Sequence, residues 1–206
     1  MSKHKPIIYI VDDNLSVCRS LSLLLKSHGF EVETFTRAAE FLAFKRLLLP
    51  SCLVLDIQLP DMNGLQLQEI MERRGIFIPI VFITGHGSIP MSVKGMKAGA
   101  IDFLTKPFTK KKLLDAITQA ISKNKIQNKE LAEISKIKRR VKTLSPRELE
   151  VFRFVAKGML SKQIARKRGT VLQTIKIHRG RVMQKMQAKT LAELVRFAQK
   201  AGVTSS

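Results

Sequence analysis

Three carboxylates in this chain stand where short apolar runs stop. The run Ile7–Val11 ends at Asp12 and Asp13, and Leu53–Leu55 ends at Asp56. Two further groups occupy equivalent places. Thr84 closes the run Ile80–Thr84, and Lys106, just before Pro107, follows Ile101–Thr105. Carboxylates brought together repel one another unless a cation neutralises them, and oxygen ligands suit Mg²⁺. A threonine hydroxyl and a lysine ammonium both donate to phosphate oxygens. As a set, the five residues could hold a metal and handle a phosphoryl group. Taken singly, each Asp reads as well as a strand-end or helix-capping residue.

For these side chains to meet, the runs that carry them must lie side by side. Apolar runs this short and rich in β-branched residues read as buried parallel strands. Strands are expected at Ile7–Val11, Leu53–Leu55, Ile80–Thr84 and Ile101–Thr105, with a less buried strand at Glu31–Phe35, where charged and apolar residues alternate. Helices are expected at Leu15–His28, Arg37–Leu48, Leu65–Arg74, Pro90–Lys97 and Lys110–Ser122. Strict alternation predicts a doubly wound α/β domain with a five-stranded parallel sheet over residues 1–122, whose ligands sit at the carboxyl ends of the strands. His86 and its neighbouring glycines read as loop. Residues 123–142 read as a charged helical linker, with a thin apolar stripe at Leu131, Ile134, Ile137 and Val141. That stripe fits a short coiled-coil seam or a plain connector.

From residue 143 the pattern is all helical. Ser145-Pro146-Arg147-Glu148 is a strong helix start, with Ser as N-cap and Glu three residues on. Further helices are expected at about Lys162–Lys167, Gln173–Met186 and Leu191–Lys200, giving an all-α four-helix domain of the helix-turn-helix kind over 143–206. On the third of these, Ile175, His178, Val182 and Met186 share the inner side. Lys176, Ile177, Gly180, Arg181 and Gln184 share the outer one. A mid-helix glycine facing outward fits close approach by another backbone, and an outward Ile177 fits a thymine methyl. Charge points the same way: residues 1–125 carry 17 Lys and Arg against 11 Asp and Glu, whereas residues 126–206 carry 20 against 5. So basic a segment suits a polyanion partner.

Residues 1–122 resemble the receiver domain of two-component response regulators. The motifs that carry this are Asp12-Asp13, Leu55-Asp-Ile-Gln-Leu-Pro-Asp-Met-Asn-Gly, Thr84-Gly-His-Gly and Lys106-Pro-Phe. Residues 143–202 are similar to the LuxR-type helix-turn-helix, through Leu144-Ser-Pro-Arg-Glu, Val155-Ala-Lys-Gly, Lys162-Gln-Ile-Ala and Thr174-Ile-Lys-Ile-His-Arg. The whole resembles regulators of the FixJ type within the NarL/LuxR group. The resemblance implies that Asp56 accepts a phosphoryl group from a sensor histidine kinase. It implies Mg²⁺ on Asp12, Asp13, Asp56 and the main-chain carbonyl of Gln58, with Asp12 acting through water. Lys106 is expected to contact the phosphoryl group across a cis Lys106–Pro107 bond. Thr84 and Phe103 are the implied switch pair, although Phe103 reads equally well as a core aromatic. Phosphorylation is expected to promote a homodimer that binds promoter half-sites. DNA contacts are expected from Lys162, Thr174, Lys176, Ile177, Arg179, Gly180, Arg181 and Lys185. RNA polymerase is a candidate further partner.

The chain departs from the family pattern at Leu160, Arg168 and Val171. Arg168 occupies a position that is usually an apolar core residue, and Val171 one that is usually a capping serine; Ser161 or Thr170 is expected to cap instead. An adaptor that binds protein through this altered helix-turn-helix is the alternative reading, and a metal-dependent phosphatase a weaker one. Cys18 and Cys52 read as buried thiols, no apolar run is long enough for a membrane span, and Lys3 and Lys5 do not precede a signal sequence. The expected setting is cytoplasmic. The expected role is phosphoryl acceptor rather than enzyme, with slow autodephosphorylation as the one turnover open to it.

Overall fold

The computed structural model describes residues 5–45, 49–85 and 89–203. Contacts divide the chain into two compact units, Met1–Asn128 and Lys129–Ser206. The first contains β1 (Ile7–Val11), α1 (Leu15–Ser27), β2 (Glu31–Phe35), α2 (Ala38–Ala43), β3 (Ser51–Asp56), α3 (Gly64–Arg73), β4 (Ile80–Thr84), α4 (Ile89–Lys97) and β5 (Asp102–Thr105). The strands form one parallel sheet in the order β2-β1-β3-β4-β5. Every residue of β1, β3 and β4 is buried, as both faces of a parallel sheet must be. Alternate side chains feed two cores: Ile8, Ile10, Val54 and Ile83 pack with α1 and Leu113 and Ile117, while Tyr9, Leu55 and Phe82 pack with Phe41 and Leu67 on the other face.

Strand order reverses between β1 and β3, which brings the ends of these two strands together as direct neighbours. Asn14 caps α1 by accepting from the N–H groups of Ser16 and Val17. Asn63 and Gln66 form a capping box at the start of α3. The following residue must be glycine for a packing reason. A Cβ on Gly64 would lie 2.5 Å from the backbone carbonyl oxygen of Asp56.

Element limits depart from the sequence reading by more than one residue in three places. Helix α2 stops at Ala43, because Phe44 turns extended and its ring joins those of Tyr9 and Phe35; the expected continuation through Leu48 reaches residues 46–48, outside those described. Strand β3 starts two residues early, since Ser51 and Cys52 already pair with Ile7 and Ile8. The expected linker has no break of its own: α5 runs from Lys110 to Val141 as one 32-residue helix. Within the first unit, Asn124 on α5 accepts from the Ser51 N–H (3.0 Å) and donates to the Phe77 carbonyl (3.1 Å). Asn128 donates to Asn124 and to the Leu49 carbonyl.

The second unit contains α6 (Pro146–Ala156), α7 (Ser161–Lys167), α8 (Leu172–Met186) and α9 (Leu191–Ala201). Its core joins Val151, Phe152, Ile164, Ile175, Val182 and Leu194 with Ile137, so the end of α5 belongs to it. Of the expected connector stripe, Ile137 is 1% exposed while Leu131 is open to solvent. Arg140 donates to the Met186 carbonyl and to Gln187, and Lys200 pairs with Glu133 at 2.6 Å. At the start of α6, Ser145 and Glu148 form a reciprocal capping box. Glu148 is buried, and Lys185 from α8 reaches it at 2.6 Å.

Two outcomes follow from this packing. Gly64→Ala should cost about 1–3 kcal/mol in urea unfolding, because its clash is with backbone rather than with a side chain that can swing away. The second concerns pH. The hydrogen bonds from Lys185 and the Ser145 N–H pull the Glu148 carboxyl down from 4.5 to about 2. A carboxyl depressed by folding stabilises fully above its unfolded value and loses that contribution as pH falls through its folded value. Glu148→Gln should therefore lower stability by about 1–3 kcal/mol at neutral pH. The gap to wild type in thermal melts should close as pH falls from 4.5 towards about 2.

Candidate functional site

The first candidate site is built at the carboxyl edge of the sheet by the ends of β1, β3, β4 and β5. Carboxylate oxygens of Asp12, Asp13 and Asp56 lie within 4.8 Å of one another. Asp12 is fully buried, Asp56 is 7% exposed and Asp13 is open to solvent. Lys106 enters from the loop after β5 and donates to Asp12 Oδ2 and Asp56 Oδ2, at 2.7 Å each. The second oxygen of each of these carboxylates is held by backbone. Asn14 N–H donates to Asp12 Oδ1 at 2.9 Å, and Gln58 N–H to Asp56 Oδ1 at 3.0 Å. The Lys106–Pro107 bond is cis, and the Lys106 N–H donates to the Thr84 carbonyl at 2.7 Å.

Electrostatics follow from this crowding. Burial raises the Asp12 carboxyl above its ordinary value, against the lowering effect of the hydrogen bond from Lys106. Burial pulls the Lys106 ammonium down, but its bonds to Asp12 and Asp56 outweigh that and hold it above its usual value. Three carboxylates and one ammonium leave a net charge of minus two, in a nest of hard oxygens. That donor set fits a divalent cation such as Mg²⁺. Among the described residues, Asp12, Asp13 and Asp56 are the acidic side chains near enough to one another to hold it.

Thr84 is fully buried. Two residues earlier on the same strand face, Phe82 pairs in register with Phe103 on β5, and their ring centroids are 5.9 Å apart. Phe103 thus has a core contact on the face that also carries Thr84. The loop expected around His86 falls on residues 86–88, outside those described.

The second candidate site is the outer face of α8. Lys176, Ile177, Gly180 and Arg181 are exposed there, with Lys162 exposed on α7 and Thr174 half-buried. A Cβ on Gly180 would meet nothing within 4 Å. The inner side holds Ile175, Val182 and Met186 in the core, with His178 half-buried beside them. Two expected contacts have other partners. Arg179 donates to Ser161 Oγ at 3.1 Å. Lys185 points away from the outer face, donating to Glu148 and to the Thr143 carbonyl, because a buried carboxylate demands a cation.

Neither Ser161 nor Thr170 caps the helix after it. Ser161 is the first residue of α7, and the N-cap positions are Leu160 and Val171, neither of which can accept through its side chain. Gln163 meets the Leu160 N–H at 2.8 Å in compensation. Arg168 does not enter the core; it reaches Glu150 on α6 at 2.9 Å. Sequence reasoning missed this pair and the Lys185–Glu148 pair, since each joins residues far apart in the chain. Among the described residues, no helix is long and apolar enough to cross a membrane.

Comparison with known proteins bears on both sites. Residues 8–118 match the family described as response regulator receiver domain, and residues 142–198 match the LuxR family of bacterial regulatory proteins. The chain is 44% identical to Nodulation protein W of Bradyrhizobium diazoefficiens over 202 residues, covering 98% of this chain and 89% of that protein. It is 40% identical to the transcriptional regulatory protein FixJ of the same species over 196 residues, covering 95% and 96%. Among solved structures, the response regulator StyR superposes with a TM-score of 0.82 at 44% identity, over 96% of this chain and all of that one. Full-length FixJ gives 0.55 at 39% identity, over 95% and 97%. The chain belongs to the DNA-binding response regulators of two-component systems, a receiver domain joined to a LuxR-type helix-turn-helix.

Proposed function

We propose that Asp56 is the phosphoacceptor of this regulator, and that its modification by a partner histidine kinase in the cytoplasm switches the chain to a dimeric, promoter-binding form. The observation that supports this most is the Lys106 ammonium, 2.7 Å from both Asp12 and Asp56 across neighbouring strand ends. An Asp56 oxygen attacks the phosphorus of a phosphohistidine, the phosphorus–nitrogen bond breaks, and the imidazole leaves and takes up a proton. Attack of one anion on another is opposed by repulsion, which Lys106 offsets while the Gln58 N–H fixes the other Asp56 oxygen. Bound Mg²⁺ supplies further neutralisation of the transferred phosphoryl oxygens, and Asp12, Asp13, Asp56 and the Gln58 carbonyl would hold it.

The acyl phosphate carries about two negative charges where the carboxylate carried one, and it offers new acceptor oxygens next to Thr84 and Lys106. Thr84 turns its hydroxyl to that group, and Phe103 adjusts into the space behind it. This links the site to the face on which receivers dimerise. Paired second units then place two α8 helices in successive major-groove turns, with Lys176, Ile177, Gly180 and Arg181 against DNA and Lys162 on the backbone. RNA polymerase contact belongs to the same proposal, as does slow autodephosphorylation through water at Asp56.

Asp56→Asn tests the scheme. Incubation with acetyl phosphate and Mg²⁺ should add one phosphoryl group to wild type and none to the variant, read by intact-protein mass. Wild-type DNA affinity should rise by about five- to 150-fold on phosphorylation, a coupling of about 1–3 kcal/mol. The variant should show no rise. A rise of equal size in the variant would sink the assignment of Asp56.

A further inference from the structure

Beside the recognition surface lies a cavity of about 420 Å³, lined by α6, the turn between α7 and α8, and the flank of α8. Its charged lining is Arg147, Arg168 and Glu150, joined by Thr170, Thr174 and His178. Glu150 is the sole acid among the lining residues. Its Oε2 holds Arg168 at 2.9 Å and Arg147 at 3.7 Å, so the site keeps a net positive charge. One further feature leaves it short of an anion. The N-terminus of α8, next to Thr170 and Thr174, has no side-chain cap because Val171 cannot accept.

We propose that this cavity is a seat for a DNA backbone phosphate, with Arg168 as the residue that captures it. This inference rests on the DNA-binding reading of the second unit and adds to it a contact outside the exposed face of α8. Two of the three departures from the family pattern, Arg168 and Val171, then have one explanation. An apolar plug at 168 and a capping hydroxyl at 171 would fill the space and satisfy the helix start from within. With Arg168 and Val171 in their place, the space is open and the helix end awaits an external acceptor. A phosphate oxygen supplies it, since guanidinium forks and helix N-termini both favour that group. Arg168 presents five N–H donors and gives one 2.9 Å contact to Glu150, so it has donors for a second anion. Glu150 is the internal competitor. It stores Arg168 on the flank when DNA is absent and must yield it when a phosphate arrives. The contact is to backbone, so it raises affinity for every sequence equally.

Fluorescence anisotropy on the full chain, treated with acetyl phosphate and Mg²⁺, with a labelled random-sequence duplex of about 30 base pairs and titrated with KCl between about 50 and 200 mM, tests this. Arg168→Leu, which restores the apolar residue, should weaken binding about fivefold at the low-salt end and reduce the log–log salt slope by about 0.9, one phosphate's worth. Arg168→Lys should keep the slope. Glu150→Gln should tighten binding by about threefold at low salt, and that gain should vanish in the double variant with Arg168→Leu. Unchanged slope and affinity in Arg168→Leu, with a wild-type thermal melt, overturn the inference and leave the DNA-binding reading standing. A wild-type chain that shows no salt-dependent binding overturns both.

Discussion

Placing Asp12 and Asp56 at the ends of neighbouring parallel strands forces two buried carboxylates together, and Lys106 is the cation that makes the arrangement stable. Coulomb repulsion in that setting is worth several kcal/mol at short range. Much of the first unit serves the geometry that contains it. The reversal in strand order at β1 and β3 puts the two side chains side by side. The cap of α1 and the tight start of α3 then hold backbone N–H groups and a carbonyl around them. Gly64 is part of this, since any side chain there would press on the Asp56 carbonyl. The site is thus over-determined by packing on three sides and open on the fourth, where Asp13 and Gln58 face solvent.

The sheet was legible in the sequence because its physics is local. Buried parallel strands are continuous apolar runs, so the limits of β1 and β4 coincide with the ends of those runs. Alternation of strand and helix then dictates that the carboxylates share one edge. The limits that failed are those set by distant contacts. Phe44 leaves α2 for an aromatic cluster that includes Tyr9, thirty-five positions away. The stretch 123–142 looks like a separate linker because its composition is charged. Yet Asn124 closes hydrogen bonds with Ser51 and Phe77, and Ile137 is a core residue of the second unit. One continuous helix carrying two unrelated anchor sets gives no signal in local hydropathy.

In the basic unit, a helical wheel separates inside from outside well but does not say which cations are already engaged. Ile175, Val182 and Met186 are buried and Lys176, Ile177, Gly180 and Arg181 exposed, in line with the 3.6-residue period. Lys185 and Arg179 lie near the boundary of the two faces, where the wheel cannot decide. Tertiary partners decide: the buried Glu148 of the capping box draws Lys185 inward, and Ser161 takes a hydrogen bond from Arg179. A basic composition therefore overstates the charge available to a polyanion, since part of it neutralises the unit's own acids.

Both units come down to the same kind of competition. A guanidinium or ammonium is held by an internal carboxylate, at a distance short enough to keep it ordered and with enough solvent access to let it exchange partners. The side chains of Lys106, Arg168 and Lys185 are 25%, 34% and 39% exposed, so access to the cation does not separate them; what each would leave behind does. An incoming phosphoryl group on Asp56 brings its own negative charge to Lys106, and Glu150, 31% exposed, can be hydrated when Arg168 turns to a phosphate, so Lys106 and Arg168 fall on the exchangeable side. Lys185 falls on the other side, because releasing it would strand a buried carboxylate beside the helix start it caps, and so it serves the fold.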